Sequence, residues 1–320
     1  MTTHQDMIYA LGGVPVALGM GPVALAGGKW YFCDPTHGTT NGDALTPESA
    51  TNSLLIAYNL CRDGYNDGVI FIGGATSYKP AAAFTWSKSF THLIGATNGL
   101  PGMGQRARIV NDAAYDLAVL FTLSGSGCLF SNIQFFDGKD NAADGACVLV
   151  SGSRNHLYNC FVAGMANDTA SGPFSRAGSY SLKISGAENT VTGCTIGMDT
   201  VARTAANAEL IISGERNRIV KSEIRSNSTT AGKFLVKIDP TADLRDIQFE
   251  DVLFFNYTAN WAAGITDAFN IGAGSTNFVI LRGACQFVGV GTGVADTVTH
   301  VYGSGPLPHA SMFVSTTPTT

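Results

Sequence analysis

Charge is what this sequence has least of. Asp, Glu, Lys and Arg make up 13% of its 320 residues, about half the usual quarter, so Ser, Thr, Asn and Gly must supply much of the surface. Such scarcity suits stacked strands, where a column of like charges would repel itself. The net charge of −5 leaves no basic stripe for a nucleic acid partner. No run reaches 18 apolar residues, so no segment is expected to span a membrane. The opening MTTHQDMIYA lacks the basic-then-apolar pattern of a secretory signal, and the expectation is a chain made and folded in a cytoplasm. Its seven cysteines (33, 61, 128, 147, 160, 194, 285) have no paired spacing, which fits reduced thiols. Its six histidines form no His-x-x-x-His, leaving zinc unsupported. Gly-x-Ser-x-Gly and phosphate-cradling loops are absent too, and no Thr-x-Thr recurs on every turn, as an ice-binding solenoid would require.

What is present is a repeat. An apolar-x-apolar step recurs at Phe121-Thr122-Leu123, Val148-Leu149-Val150, Leu182-Lys183-Ile184, Leu210-Ile211-Ile212, Val236-Lys237-Ile238 and Phe269-Asn270-Ile271. Ser-Gly follows the first four (Ser124, Ser151, Ser185, Ser213), and Asp239-Pro240 and Gly272-Ala273 follow the last two. Spacings of 26 to 34 residues match one turn of a parallel β-solenoid plus a variable loop. Counting the Ser as zero, inward positions return at six (Phe130, Leu157, Val191, Ile219, Phe278), at nine (Ile133, Cys160, Cys194, Ser222, Leu281) and at eleven (Phe135, Val162, Ile196, Ile224), all apolar but Ser222. The fifth turn reads as the same pattern with one residue deleted, giving Leu244, Ile247 and Phe249. Two short strands per turn would point these positions inward, in like-on-like ladders about 4.8 Å apart. Asn155, Asn189, Asn217 and Asn277 suit a left-handed corner and a hydrogen bond to the stacked neighbour. An antiparallel sandwich is the alternative, but sandwiches rarely hold so many positions in register. The fold class expected is all-β, a right-handed single-stranded parallel β-helix with an N-terminal capping helix and extended terminal arms.

Four segments follow. Residues 1–28 form a Gly/Pro/Val-rich arm that cannot bury its own apolar side chains, so it orders on a partner or folds back on its own domain. Residues 29–105 hold the cap and first turns, 106–290 the β-helix, and 291–320 a Pro/Thr-rich arm. In the cap, Thr46-Pro47-Glu48 predicts a helix start. Ala50, Leu54, Ala57, Tyr58 and Cys61 make its apolar stripe, and Gly64 its stop. His92 to Gly95 and Arg108 to Val110 read as incomplete early turns.

The stretch Tyr31-x-x-Asp34-x-x-x-Gly38-x-x-x-Gly42, then Thr46-Pro47, the helix and Asp67-Gly68-Val69-Ile70-Phe71-Ile72 resembles the N-terminal cap of pectate-lyase-like right-handed β-helix proteins. Chains that open this way without a signal resemble virion proteins of tailed bacteriophages: tailspikes, fibres and head-decoration proteins. The resemblance covers most of residues 29–290 as architecture and says little of chemistry. It implies a homotrimeric virion protein, anchored through residues 1–28 to the major capsid protein or another virion protein. The alternative it implies is a tailspike that binds or depolymerises a host glycan.

Catalytic strings of that superfamily are missing: no Asp-Asp pair, Gly-His-Gly or Arg-x-Lys. Asp137, Asp140 and Asp144 on one loop are the nearest to a cation site, at a spacing no calcium loop uses. Glu188, Asp199, Glu209, Glu215 and Glu223 are the outward acids that paired-carboxylate chemistry would draw on, although Glu215 beside Arg216 and Glu223 beside Arg225 read as neighbour-paired charges. Trp86, Phe90, Phe254, Phe255, Tyr257 and Trp261 are candidates for a subunit interface or for core. The expectation is a structural protein that is not an enzyme, with no cofactor, no metal and no catalytic residue assigned.

Overall fold

A computed structural model describes residues 28–97, 107–112, 114–115, 117–138, 146–167, 178–203, 207–228, 233–239, 244–257, 265–271, 277–292 and 301–303. They form a right-handed parallel β-helix of three long sheets, with Ile265–Asp267 and Val290–Thr292 pairing as a separate two-stranded sheet. Sheet A has ten strands: Trp30–Cys33, Gly68–Ile72, His92–Ala96, Leu129–Ser131, His156–Tyr158, Thr190–Thr192, Arg218–Val220, Ile247–Glu250, Val279–Arg282 and Val301–Gly303. Sheet B has seven: Arg108–Val110, Gln134–Phe136, Phe161–Ala163, Thr195–Arg203, Glu223–Ser228, Leu253–Tyr257 and Gln286–Val288. Sheet C carries the apolar runs of the repeat, from Phe84–Trp86 through Val119–Leu123, Ala146–Val150, Tyr180–Ile184, Ala208–Ile212 and Phe234–Ile238 to Phe269–Ile271. Three strands of sheet A precede the first strand of sheet B, so the turns of Trp30–Cys33 and Gly68–Ile72 lack a sheet B strand, whereas His92–Ala96 and Arg108–Val110, expected as incomplete turns, join Val119–Leu123 in one turn that has all three.

The Ser-Gly step has a steric cause. A Cβ on Gly152 would sit 1.9 Å from the Gly125 carbonyl oxygen, one on Gly186 1.9 Å from that of Gly152, and one on Gly214 2.1 Å from that of Gly186. Each turn rests its carbonyl where the next would need a side chain. The asparagines complete this corner. Asn155, Asn189 and Asn217 accept the backbone N–H of Cys128, Asn155 and Asn189 respectively, at 2.8–2.9 Å. The left-handed residue is the one before each of these three Asn, not the Asn itself: Arg154, Glu188 and Arg216, matched on other turns by Phe90, Gly127 and Asp246 ahead of Thr91, Cys128 and Ile247, all with φ between 50° and 69°. The Asn spans the gap between turns while its predecessor makes the bend. A second left-handed column, Asn132, Asn159, Gly193, Lys221, Asp251 and Gly283, turns sheet A into sheet B.

The core is a set of ladders. Phe135, Val162, Ile196, Ile224, Phe254 and Phe287 are register partners on successive turns, and Phe254 stacks on Phe287 at 4.6 Å. The ladder on sheet A runs Phe130, Leu157, Val191, Ile219, Phe249 and Leu281. This corrects the expected register of the last two turns. Phe249 takes the position of Ile219, and Phe278 lies outside the ladder, exposed, stacked on Tyr302 at 4.3 Å. The fifth turn carries extra residues at the corner after Asp239, where the sequence suggests a deletion. Asn277 accepts from Leu244 N, so an asparagine bridge survives in a shifted place.

Cys160 and Cys194 share a column with Ser222. Cys194 Sγ accepts Cys160 N at 3.3 Å, and Ser222 Oγ accepts Cys194 N at 3.1 Å. Thiol and hydroxyl thus play one part, a short acceptor reaching the turn below, and all seven cysteines are free.

The cap helix, α1, spans Leu54–Leu60 with Ser53 at its N-cap. It starts later than Thr46-Pro47-Glu48 suggests. Thr46 Oγ1 instead accepts Ser49 N at 3.2 Å, closing a hydroxyl turn that competes with a helix start. Leu54, Ala57 and Tyr58 are its buried face, while Ala50 packs apart, with Phe32, Ile70 and Ile94. The residues that carried the resemblance are structural. Asp34 Oδ1 accepts Thr36 N and His37 N, and the Trp30 ring lies over Gly68, leaving no room for a side chain.

Candidate functional site

Sequence distance between strands shows where the solenoid has freedom to vary. The connections from sheet A to sheet B hold two residues in each turn from Asn132-Ile133 to Asp251-Val252. Those from sheet B to sheet C vary from four residues to sixteen, running 111–118, 137–145, 164–179, 204–207, 229–233 and 258–268. All leave the same edge of the helix, and insertions on one edge are where solenoids commonly build recognition surfaces. This flank is the candidate site.

Three polar groups mark it. Asp137 is buried, and Asn111 Nδ2 donates to its Oδ1 at 3.2 Å. Asp140 and Asp144 lie outside the described residues. Among the described residues no three His, Cys, Asp or Glu side chains gather as a metal set. Asp137 itself is buried.

The second group is an ion pair at the corner between sheets B and C. Arg203 and Glu209 are each 1% exposed, with Arg203 Nη2 2.8 Å from Glu209 Oε1. Ser181 Oγ donates to Glu209 Oε2 at 2.6 Å, and Arg203 donates to the carbonyls of Met165 and Gly164. Gly197, at φ +85°, leaves room for it, since a Cβ there would meet the Glu209 carboxyl at 2.6 Å. Glu209 is therefore a buried staple across three segments and not the outward acid that alternation along its strand predicts. Nothing in the local sequence announces Arg203, because its partners lie up to 39 residues away.

The third group is on the outer face of sheet B. Arg225 reaches Glu223 at 2.7 Å and Asp199 at 3.7 Å, so two of the predicted acids share one guanidinium. Glu188 lies on the opposite corner, between Arg154 at 2.6 Å and Arg216 at 3.1 Å, and Glu215 pairs with Arg216 at 2.8 Å. The hydrogen bond from Arg154 holds the Glu188 carboxyl below the ordinary carboxylate range. Every acid singled out in the sequence for paired-carboxylate chemistry is thus in contact with an arginine, and they are distributed over three places.

Of the candidate interface aromatics, Trp86 and Phe254 are fully buried core, which takes them off any surface. Phe90 and Tyr257 are exposed, Phe255 is half-buried, and Trp261 lies outside the described residues.

No protein-family model and no curated protein sequence matches the chain. Solved structures of similar shape include the pectate lyase Pel9A, 15% identical over 90% of this chain and 83% of that one, with a TM-score of 0.49. The pectin methylesterase PemA from Erwinia chrysanthemi is 12% identical over 89% and 95%, with a TM-score of 0.48. Pectin methylesterase from carrot is 8% identical over 86% and 88%, with a TM-score of 0.49. These are likenesses of fold, and they bring no catalytic residue to this chain. They do correct the expectation of a chain that is not an enzyme: the structures it resembles are named for enzymes, so missing hydrolase strings do not classify it.

Proposed function

We propose that this chain is a structural protein of a tailed-bacteriophage particle, made in the host cytoplasm and displayed on the virion as a homotrimer that decorates the head. Residues 1–28 are its attachment to the major capsid protein or another virion protein. The observation that carries the reading is the self-neutralised wall: Arg154, Glu188 and Arg216 alternate in sign up one corner, with Arg218 on Glu250 beside them. Stacked this way, charges hold successive turns together and the flank remains a passive support, which suits a part whose task is to stand on a shell. Cyclic contacts between like copies close a three-membered ring. Copy number per virion, measured by quantitative mass spectrometry against the major capsid protein, tests it. On the order of hundreds of copies supports capsid-wide decoration, and none at all overturns the virion reading.

A second reading is a tailspike or fibre that binds or depolymerises host surface polysaccharide. The gathering of the variable connections on one flank favours it, and a copy number of a few to a few tens would too. Oligosaccharide release from host capsule or lipopolysaccharide, lost in Asp140→Ala or Asp144→Ala, would establish it. No release from any host glycan would leave it unsupported.

A further inference from the structure

Helix α1 buries one face and presents an unusual other. Inward, the Tyr58 ring packs on Trp86 at 4.5 Å, and its hydroxyl accepts Ser87 N and Lys88 N. Outward, a surface helix normally shows polar residues. Here the outward positions are Leu55, Ile56, Asn59 and Leu60, with Leu55 49% and Leu60 41% exposed. Tyr65, just beyond the helix, is 57% exposed, its ring 4.4 Å from the Arg62 guanidinium.

The described chain begins beside this patch. Lys29 N donates to Asp67 Oδ1 at 2.6 Å, and the same carboxylate accepts Arg62 N and the Arg62 side chain. A Cβ on Gly28 would collide with the Asn66 carbonyl, so the backbone enters pressed against residues 66–67. The described chain therefore begins next to residues 66–67, close in sequence to Tyr65 and to the C-terminal end of α1. The segment before it carries Val14, Val16, Leu18, Met20, Val23 and Leu25, interrupted by Pro15 and Pro22, and no charge after Asp6. An extended stretch of ten residues reaches about 33 Å, whereas a seven-residue helix is about 10 Å long. The segment has the reach, the apolar side chains and the point of departure to cover the patch.

We propose that the outer face of α1, with Tyr65, is the docking surface for residues 14–25 of the same chain. This places the arm on its own cap in the free protein, independently of what it attaches to elsewhere. Hydroxyl-radical footprinting of the purified full-length chain tests it, by comparing the natural sequence with Val16→Asp/Leu18→Asp/Val23→Asp. The expected result is a several-fold rise in oxidation of Leu55, Leu60 and Tyr65 in the variant, with no change at the buried Phe121 and Phe135. Equal oxidation of the patch in both proteins overturns the proposal. Chemical cross-linking of a mixture of natural-abundance and nitrogen-15 chains then separates the source. Links between arm and α1 within one isotopic chain are expected, whereas links only between light and heavy chains would overturn the own-chain assignment in favour of a neighbouring copy.

Discussion

At the scale of single residues, burial decides what each side chain is for. His92 is buried in sheet A, its Nδ1 accepting Leu129 N at 3.1 Å and its ring stacked on Trp30. Burial pushes its pKa down from 6.5 to about 4. The unfolded chain therefore binds a proton that the folded one refuses between those values, and stability falls as pH drops through that window. The effect is on the order of 3 kcal/mol across the full shift. Urea midpoints measured from pH 7 to pH 4 should show this slope, and His92→Gln should flatten it relative to the natural chain. Gly186 makes a second test, since alanine there would put a methyl 1.9 Å from the Gly152 carbonyl. Gly186→Ala should cost about 3 kcal/mol or more in thermal or urea unfolding, at the upper end for one substitution. For the buried Arg203–Glu209 pair, Glu209→Ala should cost about 3–5 kcal/mol by leaving an uncompensated guanidinium, while Arg203→Met/Glu209→Leu should recover most of it. A double-mutant cycle read by chemical denaturation would check both.

At the scale of elements, the cap shows how a short helix survives. Seven residues are too few to be stable alone, and α1 has no side-chain N-cap bond and no basic residue in its last turn. Lys88, from the next turn of the solenoid, supplies what is missing: its Nζ donates to the carbonyls of Tyr58, Asn59 and Cys61 at 2.7–3.0 Å and lies 4.7 Å from the Tyr58 ring. A cation at a helix C-terminus offsets the dipole and satisfies orphan carbonyls. Lys88→Met should destabilise the cap by about 1–3 kcal/mol. Hydrogen exchange of the amides in α1 should accelerate while those of Val148 and Leu182 stay protected. The apolar stripe of α1 was legible in sequence, because helical periodicity is local. Its beginning was not, because Thr46 bonds to Ser49 and Asp43 orders Leu45 before any helix can start.

At the scale of the whole molecule, each turn contacts chiefly its neighbours, so stability accumulates along one axis and the two ends and the flank are what remains for partners. The proposed trimer makes a direct prediction. The purified chain of 33.4 kDa should sediment as a species of about three times that mass, and a monomer at micromolar concentration would contradict it.

The sequence by itself determined the solenoid, its apolar ladders through the fourth turn and the capping helix. A stacked fold repeats its local demands: no Cβ can follow Gly125, Gly152 or Gly186 without striking the turn below, and inward positions must stay apolar. The later turns resisted because Asp239-Pro240 and Gly272-Ala273 replace the Ser-Gly mark, and because residues added at the corner shift the count. Only the tertiary structure decided which charges meet. Arg154 finds Glu188, Arg203 finds Glu209 and Met165, and Ser181 finds Glu209, because loop lengths set which side chains arrive on the same edge. Electrostatic contact depends on that three-dimensional register, which the linear spacing of charged residues does not contain.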